Sequence, residues 1–372
     1  MLYLDNAATT KINGEVLAAM LKAVDFYGNS EAKFYEQAEH AKSEIANARR
    51  QVANIINAKN ENEIVFTSGA TEANNLVLKG RVLASNSKHK KIVISAIEHS
   101  SIFDTCVYLK SMGVEISIIS VDSAGQINIP ELRRAIDENT ILVSIIAANN
   151  EIGTIQDLKK IDQVCFEKNV PFHTDATQAI GKMKIDVQDY RALSYVTFTA
   201  HKIYGPKGIG CLYIKEDSNG LKQGIVPLLH GGEQESNMRA GTLSNMLIVG
   251  FGKACEIAER DYEKNHKKSI EIEKQIIKRI SEVFDGRISI NNNFANRIPG
   301  ILNVRFEGFN NLVLLKTISP IIAASTGSAC SVSKPSRVLK AIGLSDDAIN
   351  ESIRLSWSPY MDFRDLDEIE KL

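Results

Sequence analysis

Short, almost continuously apolar runs recur along the chain as far as Ile214, and stretches with helical periodicity separate many of them. Continuous apolar runs are typical of strands covered on both faces, and their alternation with helices indicates a layered sheet. The pattern predicts strands at 63–67, 91–95, 114–119, 141–146, 170–174, 195–198 and 209–214. It predicts helices at 72–79, 130–137 and 158–169. We therefore expect an α/β sheet between helical layers.

The C-terminal part of the chain indicates a second, smaller domain. A polar stretch rich in Glu and Lys, from Cys255 to about Phe284, has helical periodicity and is interpreted as a long solvated helix joining two domains. Strands are predicted after it, at 300–306 and 321–325. With 372 residues, of which 44% are hydrophobic and 24% charged, the chain is long enough to form two cores.

Charge and cysteine content argue against several classes of protein. The formal net charge is −1 and the charges are mixed along the chain, so we predict no direct binding to nucleic acid and no membrane partner. No apolar run approaches the ~18–20 residues of a membrane helix, and the N-terminus lacks the pattern of a secretory signal. The five cysteines are odd in number and scattered, which argues against disulfides and a metal site. We expect a soluble, cytoplasmic protein.

Polar residues follow five of the predicted strands. Functional groups in open α/β sheets gather at the carboxyl ends of the strands, so these residues are expected to converge on one edge. The segment 68–72 (Ser-Gly-Ala-Thr-Glu) is either a capped turn or a cradle for an anion, because the amides at a helix N-terminus favour negative charge. The five endings are 68–72, 98–99, 149–151, Asp175 and 201–202.

Two of these endings suggest a cofactor. A lysine such as Lys202 can form a Schiff base with a carbonyl, and a buried aspartate such as Asp175 can keep a pyridinium nitrogen protonated. A lone lysine is more often a solvated surface group. Together with the possible anion cradle, however, the pair outlines a pyridoxal 5'-phosphate (PLP) site.

A series of ordered motifs extends this outline along almost the whole chain. They are YLDNAATT at 3–10, FTSGATE at 66–72, NNEIG at 149–153, DATQ at 175–178, HKIYGPKG at 201–208, MRAGT at 238–242 and GSACS at 327–331. In these motifs the chain resembles the cysteine desulfurases of the NifS/IscS-like family, which are PLP enzymes of fold type I. The resemblance implies a large domain at 12–255 with a mostly parallel seven-stranded sheet. It also implies a smaller α+β domain at 256–372, joined by residues 1–11.

The resemblance assigns roles to individual residues. Lys202 corresponds to the lysine that binds PLP covalently, Asp175 to the partner of the pyridine nitrogen, and His99 to the histidine that stacks on the ring and moves protons. Ala200 stands where the family usually has glycine. Further cofactor contacts are implied around the ring hydroxyl for Asn150 and Gln178, and around the phosphate for Ala70, Thr71, Thr199 and His201.

Three further assignments concern the substrate and a second subunit. Arg354 resembles the arginine that binds the substrate carboxylate by a bidentate pair, and Asn29 is expected to assist it. Thr242 corresponds to a phosphate contact that the family supplies from the other subunit. A homodimer is therefore implied.

Cys330 determines the expected reaction. A lone cysteine is usually an inert, buried apolar residue, but Cys330 lies in a small, polar, loop-like segment at 325–335. The resemblance implies that its thiol takes sulfur from PLP-bound L-cysteine as a persulfide, releases L-alanine, and passes the sulfur to an acceptor protein. Cys106, Cys165, Cys211 and Cys255 are expected to be inert.

Other functions remain open from the sequence. A selenocysteine lyase, an aminotransferase or another small-substrate PLP enzyme would not need a nucleophile at Cys330. A non-catalytic scaffold that docks sulfur acceptors would not need the cofactor. For a desulfurase, the acceptor classes are iron–sulfur cluster assembly, tRNA thiolation and DNA phosphorothioation.

Overall fold

The structure is a computed structural model that describes residues 1–32, 34–217, 219–222, 224–327 and 335–372. The strands are β1 (Leu2–Tyr3), β2 (Ile64–Thr67), β3 (Lys91–Ser95), β4 (Glu115–Ile119), β5 (Thr140–Ser144), β6 (Phe172–Asp175), β7 (Leu193–Thr199), β8 (Gly210–Ile214), β9 (Ile288–Ile290), β10 (Ile301–Phe306), β11 (Ile322–Ala323) and β12 (Ser352–Ser356). The α-helices are α1 (Gly14–Ala23), α2 (Glu36–Asn54), α3 (Ala70–Ala84), α4 (Ser100–Ser111), α5 (Ile129–Ala135), α6 (Leu158–Glu167), α7 (Asn245–Arg260), α8 (Tyr262–Val283), α9 (Asn311–Ile318), α10 (Arg337–Ala341) and α11 (Asp346–Asn350).

The main sheet contains the seven predicted strands. Their order is β2-β8-β7-β6-β5-β3-β4, and β8 runs antiparallel to both of its neighbours, whereas the other pairings in the sheet are parallel. The predicted mostly parallel seven-stranded sheet is therefore confirmed. The same direction of β2, β3, β5, β6 and β7 brings their carboxyl ends to one edge.

Both faces of this sheet are covered, as the apolar runs predict. Successive residues of a strand point to opposite faces. Ile64 and Phe66 of β2 accordingly belong to the core that includes residues of α2 and α7, whereas Val65 belongs to the core that includes residues of α3 and α4. The helices thus exclude water from both faces and leave the strand ends as the accessible part of the sheet.

Another core combines the two ends of the chain. Leu2 and Leu4 pack there with residues of α8, β10, β12 and the C-terminal 3₁₀ helix Phe363–Lys371. β1 pairs in parallel with β11, and β10 lies between β9 and β12. This packing is in line with a smaller unit that includes the N-terminal residues. The domain boundary at 255/256 stays a prediction.

The predicted single helix from Cys255 to Phe284 is wrong in two respects. Helix α7 already begins at Asn245 and ends at Arg260, and α8 begins after Asp261, whose ψ of 6° interrupts the regular helix. The helices join different cores: Cys255 packs against the main sheet, whereas one side of α8 is buried in the core that contains Leu2. The stretch is therefore only partly solvated.

A buried ion pair stabilises the outer edge of β2. The Arg49 guanidinium of α2 donates to both carboxylate oxygens of Glu235 at 2.6 and 2.8 Å, and the side chains are only 16% and 0% exposed. The same carboxylate accepts from the Phe66 amide at 2.7 Å. Glu235 begins three consecutive left-handed residues with φ of 52°, 56° and 65°, a conformation that is costly for non-glycine residues. The pair holds this loop against β2.

Replacement of Glu235 by alanine should lower the free energy of unfolding by roughly 3–5 kcal/mol, because it leaves the Arg49 charge buried without its partner. Chemical denaturation measures this change. The matched control is Glu263→Ala, which removes an exposed partner lying 3.8 Å from Lys184 and should cost less than about 1 kcal/mol. Equal effects of the two substitutions would contradict this account of the β2 edge.

Candidate active site

The carboxyl ends of the main-sheet strands line a cavity of about 830 Å³. Three segments that follow β3, β5 and β7 reach it, together with the end of β6 and the N-terminus of α3. The predicted site residues that line it are Ala70, Thr71, His99, Asn150, Asp175, Gln178, Thr199, His201, Lys202 and Arg354. The predicted convergence of the strand ends is therefore observed.

One end of the cavity is suited to an anion. Helix α3 begins at Ala70, and its N-cap Gly69 has a φ of 156° and provides no side chain to cap the helix. The first amides of a helix lack intrahelical partners and carry partial positive charge. Thr199 lies nearby, but its hydroxyl donates to the Ile209 carbonyl at 2.7 Å, so it must rotate to donate to an anion.

His201 lines the same cavity as a neutral side chain. Burial lowers its pKa to about 4, and the neighbouring positive charge of Lys202 acts in the same direction. Its Nδ1 lies 3.2 Å from the Thr9 hydroxyl. The imidazole can therefore donate one hydrogen bond to an anion without contributing a positive charge.

Ala200 is accommodated by a glycine opposite it. A Cβ placed on Gly205 would lie 2.8 Å from the Ala200 Cβ, and the Gly205 amide donates to the Ala200 carbonyl at 2.9 Å. The methyl group of Ala200 is fully buried against this close approach. Ala200 carries a methyl group that the usual glycine lacks. This methyl group fits next to Lys202 because residue 205 is a glycine.

Asp175 is held as a buried hydrogen-bond acceptor. Its side chain is 3% exposed and accepts from Asn74 Nδ2 at 2.8 Å and from the Thr177 amide at 2.9 Å. Asn74 also donates to Ser101 Oγ at 2.8 Å. These donors fix the orientation of the carboxyl group. The sequence interpretation missed Asn74; its position one turn into the helix that opens at the cradle is the signal that could have identified it.

His99 has a defined orientation above the sheet edge. It is the N-cap of α4, and its Nδ1 accepts from the Ser101 amide at 3.2 Å. Because Nδ1 is an acceptor, the hydrogen-bond pattern assigns the proton of the neutral ring to Nε2. Burial lowers the pKa of His99, so the neutral form is favoured at neutral pH.

Lys202 projects towards the N-terminal segment. Its Nζ donates to the Ala7 carbonyl at 2.7 Å and to the Ala8 carbonyl at 2.6 Å. The 3₁₀ turn Ala200–Lys202 directly follows β7 and places the amine at the cavity. The two carbonyl oxygens fix the position of the amine.

Arg354 of β12 is 1% exposed and already has anionic and polar partners. Its Nη2 donates to Asp5 Oδ1 at 2.7 Å, and its Nη1 donates to the carbonyls of Asn150 and Gly327 at 3.0 and 2.9 Å. Its Nε is buried without a hydrogen-bond partner among the described residues. The sequence interpretation did not identify Asp5. The expected bidentate pair with a substrate carboxylate therefore requires Nη1 or Nη2 to exchange one of these partners.

Two of the remaining predicted residues, Asn29 and Thr242, do not line this cavity. Asn29 is exposed, and its Oδ1 accepts from the Glu31 amide at 3.1 Å. Thr242 is also exposed, as expected for a residue predicted to act in another subunit. Cys330 lies outside the described residues. Gly327 and Pro335, which flank the segment 328–334, both line the cavity.

Glu98 is a second buried carboxyl group at the cavity, and the sequence interpretation gave it no role. Its Oε1 accepts from Ser95 Oγ and from the Ile146 amide at 2.8 Å, whereas Oε2 has no hydrogen-bond partner among the described residues. Burial raises the pKa of Glu98 to about 8, and the charge of Asp175 adds to the effect. Glu98 is therefore protonated at neutral pH.

Glu98→Gln should change how stability depends on pH. Between the usual glutamate pKa and a pKa of about 8, the unfolded chain releases this proton and the folded chain retains it, so wild-type stability falls as pH rises. The glutamine variant lacks this loss. Across that pH range, its free energy of unfolding should therefore rise relative to that of the wild type by up to roughly 1.4 kcal/mol per pH unit. Urea unfolding at about pH 5 and about pH 8 measures the difference. Exposed Glu138→Gln is the control, and parallel pH profiles for Glu98→Gln and wild type would contradict the assignment.

Comparisons with known proteins match the chain along its length. The family described as Aminotransferase class-V matches residues 2–369. The chain is 40% identical over 372 residues to cysteine desulfurase IscS of Methanosarcina thermophila, covering 99% of this chain and 89% of that protein. A solved NifS-like protein has a TM-score of 0.91 at 32% identity, covering 100% of this chain and 97% of that one. The structure of SspA in complex with cysteine has a TM-score of 0.84 at 36% identity, covering 97% of this chain and 99% of that one.

No described helix combines the length and apolar character required to cross a membrane. No group of three or more His, Cys, Asp or Glu side chains in the described part of the chain is arranged to hold a metal ion.

Proposed function

This chain belongs to the cysteine desulfurases of the class-V aminotransferase family, and on that premise we propose which of its residues carry out the reaction. The enzyme is PLP-dependent and converts L-cysteine to L-alanine with transfer of sulfur. The observation that carries the proposal is one cavity lined by Lys202, Asp175 and the N-terminus of α3. These are, respectively, an amine, a carboxylate and an anion site.

The chemistry of this donor set fits PLP. The amides of Ala70 and Thr71 would hold the phosphate, Asp175 the pyridine nitrogen, and Asn150 and Gln178 the ring hydroxyl. The cavity of about 830 Å³ falls in the usual range for small-molecule sites. When bound, PLP would draw electron density from the α-carbon of the substrate.

The protein residues would orient the groups that contact the cofactor. Asn74 and the Thr177 amide fix the position of the Asp175 carboxyl group. Neutral His99 would stack on the ring and share proton movements at the α-carbon with Lys202. The helical layers over both sheet faces exclude water from beneath the site.

Arg354 would bind the substrate carboxylate. It lines the cavity, and its Nη1 would exchange a backbone carbonyl for a carboxylate oxygen of the substrate. The ion pair with Asp5 holds the guanidinium in place before substrate arrives. Asn29 remains a proposed substrate contact that would require a different arrangement of its exposed loop.

Cys330 would receive the sulfur. Its thiolate attacks the substrate sulfur: an S–S bond forms, the substrate C–S bond breaks, and the electron pair stays on carbon, which is then protonated to give L-alanine. Two contacts support delivery of this residue to the cavity, because they fix the described residues on either side of its segment. Arg354 donates to the Gly327 carbonyl, and the Ser336 hydroxyl donates to Glu151 at 2.6 Å.

The partners are a second copy of the chain and a sulfur-acceptor protein. Thr242 would complete the phosphate site of the second copy, and its exposure supports this role. The acceptor belongs to iron–sulfur assembly, tRNA thiolation or DNA phosphorothioation. We place the enzyme in the cytoplasm; cell fractionation tests that placement.

The proposal is tested by loading the purified protein with PLP and supplying L-cysteine with a reductant. Alanine and sulfide should form in equal amounts, and size-exclusion chromatography with light scattering should give the mass of a dimer. Following labelled sulfur into captured proteins would identify the acceptor. Cysteine-independent transamination without sulfide release would contradict the proposed roles.

A further inference from the structure

A second lysine lies behind Lys202 and is connected to it by directional hydrogen bonds. Lys182 Nζ donates to Gln178 Oε1 at 2.8 Å. Gln178 Nε2 in turn donates to the Ala7 carbonyl at 2.8 Å, and the same carbonyl accepts from Lys202 Nζ at 2.7 Å. Lys182, Gln178 and Ala7 therefore form one network that ends at the proposed catalytic amine.

The first bond of this network determines how the glutamine amide is turned. An ammonium group has three donors and no acceptor, so the amide oxygen of Gln178 must face Lys182. Its NH₂ group must then face away from Lys182, where one N–H donates to Ala7. The second N–H is left for an acceptor in the main cavity, which Gln178 lines.

The surroundings of Lys182 make a purely structural role costly. Lys182 and Lys202 also line a smaller cavity of about 40 Å³. His266, Tyr204 and Tyr360 face it as well, and the described residues that line it include no carboxylate. A partly buried ammonium group with no carboxylate among these residues is less favourable there than an apolar side chain of similar length.

The charges around Lys182 agree with this interpretation. Burial lowers its pKa to about 7, and the positive charges of Lys202 and Arg354 lower it further. Perturbed lysines of this kind are concentrated at functional sites. The ammonium form that holds Gln178 is thus increasingly lost as pH rises above neutral.

We propose that Lys182 is a positioning residue that fixes the amide of Gln178 with an N–H directed to the ring oxygen of PLP. The inference rests on the proposed function, because it takes Lys202 and Gln178 as cofactor-binding residues. A donor to the ring oxygen stabilises its anionic form, so the network lowers the pH at which the bound cofactor loses its proton. Lys182 thereby acts through Gln178, without touching the substrate.

The test is a pH titration of the visible absorption of the PLP-loaded protein. Lys182→Met should raise the titration midpoint by about half to one pH unit, a threefold to tenfold change in proton affinity. Lys182→Arg, which also donates only, should stay close to wild type. Lys184→Met is the control, because Lys184 is 78% exposed and pairs with Glu263.

A double-mutant cycle separates positioning from simple loss of charge. In a Gln178→Ala background, Lys182→Met should produce little further shift, since its effect is transmitted through the amide. A full shift in that background, or an unchanged midpoint for Lys182→Met, would overturn the inference. Lys182→Gln, which retains a donor, provides a milder variant if the methionine variant does not fold. Absence of the visible band in the wild type would instead overturn the proposed function itself.

Discussion

The Lys202→Ala variant should lack the visible absorption of lysine-bound PLP. Its rate of alanine formation should fall by at least about a thousandfold. The amine lies just after β7, where it donates to the carbonyls of Ala7 and Ala8. Absorption spectroscopy and an alanine assay measure the two losses. Lys159→Ala on α6, which removes a side chain that is 71% exposed, should retain both properties.

Borohydride reduction gives an independent check of the attachment point. Peptide mapping after reduction should place PLP on the peptide that contains Lys202. Lys182 is the informative competitor, because its pKa of about 7 gives it a substantial neutral, nucleophilic fraction at neutral pH. Attachment to Lys182, or wild-type activity in Lys202→Ala, would contradict the assignment.

Cys330→Ala should keep the visible absorption of the cofactor but lose at least about a thousandfold in sulfide and alanine production. The expected reason is chemical, since the reaction needs a thiolate and the four cysteines among the described residues are buried. Burial raises the pKa of Cys106 to about 12 and also raises the pKa of Cys165, Cys211 and Cys255. These thiols stay protonated at neutral pH.

The matched control for this variant is Cys106→Ala, which should retain both absorption and sulfur transfer. The visible absorption of the cofactor distinguishes two causes of lost activity. It is retained if only the nucleophile is missing, and it disappears if the cofactor no longer binds. Undiminished sulfide release by Cys330→Ala would show that another group accepts the sulfur, and would remove Cys330 from the reaction.

The sequence predicts the elements of this site better than the contacts among them. The apolar runs identify the strands, and the rule that strand ends converge brings Asp175 and Lys202 together in one cavity. The bond from Asn74 to Asp175 joins residues 101 positions apart, and the pair of Arg354 with Asp5 joins residues 349 positions apart. Such contacts depend on how helices and sheets pack, which local periodicity does not encode.

The limits of periodicity also explain the incorrect helix. Residues on both sides of Asp261 have helical patterns, so the sequence indicates one continuous element. The break arises because α7 packs against the main sheet, whereas α8 packs into the other core. This difference in packing is a tertiary constraint. Thr242 illustrates a different limit, since its predicted role requires a second copy of the chain.

The most direct test of the account is to locate the transferred sulfur. The PLP-loaded protein is incubated with L-cysteine without reductant, digested, and analysed by mass spectrometry beside an alanine assay. One added sulfur atom is expected on the peptide containing Cys330, in the same amount as the alanine formed. Alanine formation with sulfur on Cys106 or another cysteine, or with no protein-bound sulfur, would contradict it.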